Sequence, residues 1–150
     1  MLTIRAMQAD DVDDVYAIET STHQIPWSRG ILGDCVLVGY DCRVLEQTDD
    51  TGKHIVGYII CRRSFNTCHI LNLCIASFCQ NQGFGKFLLK SVLDSLAGSL
   101  VNIVVLEVRP SNLAAIKLYE SFGFSRDEIK VAYYKDEIGI EDAWLLKKVI

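Results

Sequence analysis

The chain has 150 residues, half of them hydrophobic, and a formal net charge of −4. That length suffices for one domain with a real core, and the apolar content excludes a disordered chain. The small negative charge and the lack of any Lys/Arg run argue against a nucleic-acid surface, and no segment reaches the length of a membrane span or a signal peptide's apolar stretch.

Leu2 to Arg5 reads as a short first strand. Asp10 and Asp11 then offer carboxylates to the start of a helix running to about Thr20, with Val12, Val15, Tyr16 and Ile18 as its apolar side. Pro26-Trp27-Ser28 interrupts the chain and begins a second short helix. Cys35 to Glu46 and His54 to Arg63 are apolar strand candidates, joined as a hairpin by the turn-rich Thr48 to Lys53, and Thr67 to Ile75 continues the sheet. The six cysteines (35, 42, 61, 68, 74 and 79) never form Cys-x-x-Cys, and the three histidines share no metal-ligand spacing, so no metal is expected. Most of these cysteines sit in apolar runs, where reduced cysteine behaves as a small hydrophobe; with no export signal, a cytoplasmic protein follows.

Gln80-Asn81-Gln82-Gly83-Phe84-Gly85-Lys86 lies between that strand and a strongly apolar helix. Two glycines at a helix entrance leave backbone N–H groups uncovered, and with the positive end of the helix dipole such a loop wraps a phosphate. A Walker A loop requires glycine where Gln80 stands and Ser or Thr where Phe87 stands, and a dinucleotide fingerprint requires a third glycine at Leu88. Both are excluded. From Gly83 the apolar period becomes helical through Phe84, Phe87, Leu88, Val92 and Leu96, and Gly98 ends the run. Asn102 to Arg109 is a near-continuous apolar strand, the pattern of a sheet covered on both faces, and Asn112 to Phe122 is a helix stopped by Gly123. Strands around Phe124 to Lys135 and Ile140 to Val149 complete the order β-α-α-β-β-β-α-β-α-β-β, one mixed sheet flanked by helices.

The Gln-x-x-Gly-x-Gly loop is followed by Leu106-Glu107-Val108-Arg109-Pro110-Ser111-Asn112 and by Ala114-Ala115-Ile116-Lys117-Leu118-Tyr119-Glu120-Ser121-Phe122-Gly123-Phe124. Together these segments resemble the GNAT superfamily of N-acetyltransferases. Ile25-Pro26-Trp27-Ser28, Tyr133-Tyr134 and Glu141-Asp142-Ala143 are most similar to its bacterial ribosomal-protein alanine N-acetyltransferases. The resemblance implies an α/β (α+β mixed) acyl-CoA N-acyltransferase fold over residues 1–150, with about seven strands and about four helices. It also implies a cytoplasmic enzyme that uses acetyl-CoA as co-substrate and acetylates the N-terminal alanine of the eighteenth small-subunit ribosomal protein by direct transfer. Other amines (a lysine, a polyamine, an antibiotic) and a non-catalytic acyl-CoA-binding module are the rival readings.

By the same resemblance, coenzyme A is held by Leu73, Cys74 and Ile75 along its acyl-pantetheine arm and by Asn81, Gln82, Gly83, Phe84, Gly85 and Lys86 at its pyrophosphate, with Asn112 as a further contact. Asn112 reads equally as a helix N-cap. Glu107 is implied as the acceptor of the amine's proton. A carboxylate in the run Ile103 to Val108 is costly to bury, and partial burial would raise its proton affinity; an ion pair with Arg109, on the same side of the strand, is the structural alternative. Tyr119 is implied as proton donor to the departing thiolate, although its spacing from Ile116 and Phe122 also suits the core. Trp27, Tyr133 and Tyr134 are candidates for the peptide groove, and Glu141 and Asp142 for attracting a basic side chain. The chain departs from the resembling pattern at Asn81, where arginine is usual, at Ala76-Ser77 and at Cys74.

Overall fold

The computed structural model describes residues 1–137 and 139–150. Among these, β1 (Leu2–Ala6), β2 (Asp41–Asp49), β3 (Gly52–Ser64), β4 (Thr67–Ile75), β5 (Ile103–Val108), β6 (Ser125–Asp136) and β7 (Gly139–Val149) form one sheet in the order β1-β2-β3-β4-β5-β7-β6. Every neighbouring pair is antiparallel except β4 with β5. The α-helices are α1 (Val12–Thr22), α2 (Arg29–Leu37), α3 (Phe84–Ser95) and α4 (Leu113–Ser121). None is long and apolar enough to cross a membrane.

The sheet carries a core on each face, as the mixed α/β pattern requires. On one face Leu88, Leu89 and Val92 of α3 and Ile116 and Tyr119 of α4 pack on Ile59, Val104, Leu106 and Leu146. On the other, Val15 and Ile18 of α1 and Leu32 and Cys35 of α2 pack on Val44, Tyr58 and Ile60. All six cysteines are free and buried. Gly57 faces Ile75 in the β3–β4 ladder, where a Cβ would lie 2.6 Å from Ile75 Cδ1 and 3.0 Å from the Cys74 carbonyl oxygen. Only glycine lets the two backbones approach this closely.

The strand expected from Cys35 does not begin there. Cys35, Val36 and Leu37 finish α2, and β2 starts at Asp41. The Ser28 hydroxyl accepts from Ile31 N at 3.1 Å and caps that helix, while Leu32 and Cys35, three apart, bury on one side of it. An apolar run this short carries no period of its own, so the cap and the packing decide. Asp11 also differs: its carboxylate accepts from Gln8 N at 2.8 Å and pairs with Arg5 at 2.8 Å, fastening a short 3₁₀ turn to β1.

Candidate active site

The site is made by strands that part. The parallel ladder of β4 and β5 holds three pairs, Thr67–Ile103, Cys68–Val104 and His69–Val105, although both strands run on to Ile75 and Val108. Across β4 a register shift opposite Ile60/Cys61 leaves Leu71 without a partner in β3. Beyond His69 the β5-facing edge of β4 therefore offers main-chain donors and acceptors to a gap, and a buried edge of that kind needs a partner. Two cavities open along it.

The first, of about 450 Å³, is walled by Leu73, Cys74 and Ile75 from β4, Asn81, Gly83, Phe84, Gly85 and Lys86 from the loop and start of α3, and Leu118 and Tyr119 from α4. Gly83 takes φ +82° and Asn81 φ +63°, left-handed positions suited to glycine and tolerated by asparagine. This turn presents the first N–H groups of α3, which lack partners within the helix, to the cavity mouth. Gln80 Nε2 donates to the Ile75 carbonyl at 3.1 Å and ties the loop to the strand end. An open strand edge, an N–H cradle and a cavity of this size fit the arm and pyrophosphate of an acyl-CoA. Gln82 is exposed and stands outside the cavity wall. Cys74 turns its thiol toward Thr22 Oγ1 at 3.0 Å, and burial pushes that thiol up, toward its protonated form.

The second cavity, of about 540 Å³, lies between the α1–α2 loop and the β6–β7 hairpin, with Trp27, Tyr133 and Tyr134 in its wall and Glu107 on its strand side. The two cavities share His23, Leu73, Asn112, Ala115 and Tyr119, so they meet. Tyr119 is buried, edge-on to Phe124 at 5.5 Å between ring centroids, and burial raises its phenol so that it stays protonated. Core residue and proton source are thus compatible here. Asn112 Oδ1 accepts from Ala115 N at 3.2 Å, the N-cap of α4, with the side chain bordering both cavities.

Glu107 overturns two expectations. It does not pair with Arg109: its Oε2 lies 2.6 Å from His69 Nε2 and its Oε1 3.0 Å from Lys130 Nζ. The His69 hydrogen bond, and after it that of Lys130, holds the carboxyl down to about 2, although burial acts in the opposite direction. Burial does not raise its proton affinity, because two N–H donors outweigh the desolvation. Arg109 instead reaches the hairpin, with NH2 2.5 Å from Asp136, NH1 3.3 Å from Glu141 and its guanidinium over the Tyr134 ring at 4.0 Å. Glu141 also accepts from Ser111 N and Oγ, and Asp142 accepts from Ala132 N at 2.9 Å. These contacts brace the hairpin. The Asp142 contact holds Ala132 at φ +51° in an irregular stretch of β6 between Lys130 and Tyr134.

The structure adds Glu19, which sequence reasoning missed. It is 1% exposed and borders the second cavity, accepting from Tyr58 OH, Asn72 Nδ2 at 2.9 Å and Trp27 N at 2.8 Å. Its signal was present, since it stands four residues after Val15 on the apolar side of α1. His69 and Lys130 gave no such signal.

An N–H cradle, an open strand edge and an adjoining second cavity are the parts an acyl-transfer enzyme needs. Residues 9–124 match the acetyltransferase (GNAT) family, and the chain belongs to it. It is 33% identical over 147 residues to the [ribosomal protein bS18]-alanine N-acetyltransferase of Escherichia coli K12, covering 97% of this chain and 96% of that one. The crystal structure of the ribosomal-protein-S18-alanine N-acetyltransferase from Escherichia coli superposes with TM-score 0.90 at 32% identity, covering 100% of this chain and 94% of that one. Arabidopsis thaliana NAA60, solved in complex with acetyl-CoA, shares the fold with TM-score 0.87 at 17% identity, over 100% of this chain and 99% of that one.

Proposed function

We propose that residues 1–150 form a single N-acetyltransferase domain that transfers acetyl directly from acetyl-CoA to a protein N-terminus, its acceptor being the N-terminal alanine of ribosomal protein bS18. The carrying observation is the meeting of the two cavities at His23, Leu73, Asn112, Ala115 and Tyr119. A thioester threaded along β4 and an amine entering between Trp27 and the hairpin come together there. Direct transfer is supported by Cys74, whose buried thiol is turned to Thr22 and held protonated, a poor nucleophile. Gly83, Phe84, Gly85 and Lys86 offer N–H groups to the pyrophosphate, with Asn81 and Gln82 on the flank of the loop. Leu73, Cys74 and Ile75 hold the pantetheine arm by their main chain, and Asn112 closes the cavity between them. Glu107 faces the amine, and Tyr119 gives a proton to the departing sulfur. The acceptor assignment rests on the bS18-alanine N-acetyltransferase relatives, and the six free thiols support a cytoplasmic location.

The test is thiol release from acetyl-CoA with three acceptors: a peptide beginning with alanine and bearing an early arginine, the same peptide N-terminally blocked but carrying free lysine, and a polyamine. The first is expected to be fastest, its α-amine being less basic than a lysine amine and more of it unprotonated. A faster blocked peptide or polyamine overturns the N-terminal acceptor. Absence of thiol release with every acceptor overturns the enzymatic assignment.

A further inference from the structure

The Glu107 carboxylate is gripped at both oxygens by groups from two other strands. His69 of β4 approaches Oε2 and Lys130 of β6 approaches Oε1, at the 2.6 and 3.0 Å given above, and the three side chains are only 13% (Glu107), 20% (His69) and 34% (Lys130) exposed. Behind His69, Arg62 NH2 of β3 stands 3.3 Å from Nδ1. An arginine there donates, which leaves the Nε2 hydrogen of the imidazole pointing at Glu107. Lys130 Nζ lies 5.3 Å from the centre of the Tyr133 ring. Tyr134, pushed up to about 12 mainly by burial, and Arg109, engaged by Asp136 and Glu141, complete the ionisable groups around the carboxylate on the hairpin side. Among the described residues every group hydrogen-bonded to the Glu107 oxygens is thus a donor, and donors favour the charged carboxylate. Each oxygen keeps a second lone pair, so an incoming amine can still bond to it.

A carboxylate held this way is a weak proton carrier and a strong fixed charge. Building on the acetyltransferase reading above, we infer that His69 and Lys130 are positioning residues that keep Glu107 a permanent anion beside the acceptor nitrogen, where it acts by charge while the amine's protons leave to water. The acceptor ammonium first loses one proton to solvent. The neutral amine donates an N–H to Glu107, and its lone pair forms the new C–N bond as the C–S bond breaks. Positive charge growing on nitrogen meets the preorganised anion, which is where such a charge is worth most. The second proton goes to water as the amide forms, the sulfur takes a proton from Tyr119, and Tyr119 recovers one from solvent.

The rising limb of the pH–rate profile then belongs to the acceptor, whose α-amine titrates near about 8, and not to Glu107. Three measurements test this. Carbon-13 NMR of glutamate carboxyls, with Glu107→Gln for assignment, is expected to show Glu107 ionised down to about pH 3 in line with its donors; a midpoint at or above its ordinary 4.5 overturns the clamp. Rate profiles with a peptide beginning with alanine and one beginning with 3-fluoroalanine, a less basic amine, are expected to shift together with amine basicity; a limb that stays put overturns the charge role. His69→Gln retains an N–H donor and is expected to keep the wild-type profile. His69→Leu and Lys130→Met, which remove a charge-assisted hydrogen bond, are expected to lower kcat about 10- to 100-fold with the acetyl-CoA KM unchanged, and to raise the Glu107 midpoint. Variants matching wild type in both readouts overturn the positioning role. Failure of the wild type to acetylate any N-terminal peptide strikes only the acceptor reading, since the NMR titration judges the clamp without turnover.

Discussion

Gly83 and Gly85 are two residues apart, yet the geometry assigns alanine at these positions opposite effects on stability. Gly85 lies inside the first turn of α3, outside the left-handed region, and a Cβ there meets Leu118 Cδ2 at 3.4 Å and Ile75 Cγ1 at 3.9 Å, ordinary packing distances. Gly85→Ala should therefore stabilise the fold by about 0.5–1 kcal/mol, the helix-interior preference for alanine. At roughly 2–4 °C per kcal/mol for a chain of this size, Tm rises by about 1–4 °C. Gly83 has open space around its Cβ position but sits at φ +82°, so Gly83→Ala costs about 1–2 kcal/mol in backbone strain and lowers Tm. Function moves differently. Leu118 and Ile75 both wall the first cavity, so the Gly85→Ala methyl enters the space assigned to coenzyme A and keeps the pyrophosphate from the Gly85 N–H. Loss of one hydrogen bond to a charged acceptor is worth about 1.5–3 kcal/mol, or roughly 10- to 100-fold in Kd. Thermal unfolding by circular dichroism and calorimetric titration with acetyl-CoA separate the two effects. A Gly85→Ala protein with raised Tm and unchanged Kd refutes the phosphate cradle, and a lowered Tm refutes the local geometry on which the estimate rests.

Tyr119→Phe keeps the ring packed on Phe124 while removing the hydroxyl, so kcat should fall about 10²–10⁴-fold with acetyl-CoA affinity near wild type; an equal rise in Kd would place Tyr119 in binding rather than proton transfer. Acid unfolding should expose the Glu107 clamp as well. The carboxyl is held below its ordinary 4.5 at about 2, so its contribution to stability is full above about pH 4.5 and is lost as pH falls through about 2. Glu107→Gln should accordingly be less stable at pH 7, with the gap to wild type closing between pH 4.5 and 2 in denaturant melts; a gap constant with pH would mean that the donors on His69 and Lys130 add nothing.

The parts of this protein legible in its sequence are those decided locally. Two glycines beside a change of period mark the entrance of α3, because φ +82° at Gly83 and the apolar stripe of Phe84, Leu88 and Val92 each need particular residues at particular spacings. Cys35 to Val38 shows where that logic stops, since four apolar residues suit a strand or a helix end, and the Ser28 cap and the packing of Leu32 chose the helix. Glu107 was conspicuous for the same local reason, a charge in an apolar strand. Its proton affinity was nevertheless expected with the wrong sign. Burial can be read from neighbours in the chain, whereas the donors that outweigh it lie 38 and 23 residues away, His69 on β4 at the last pair of the β4–β5 ladder and Lys130 on β6 beyond β7. Glu19 repeats the pattern, its three donors coming from β3, β4 and the α1–α2 loop. For both carboxylates the position is local information, while the donors that hold them come from other strands and loops.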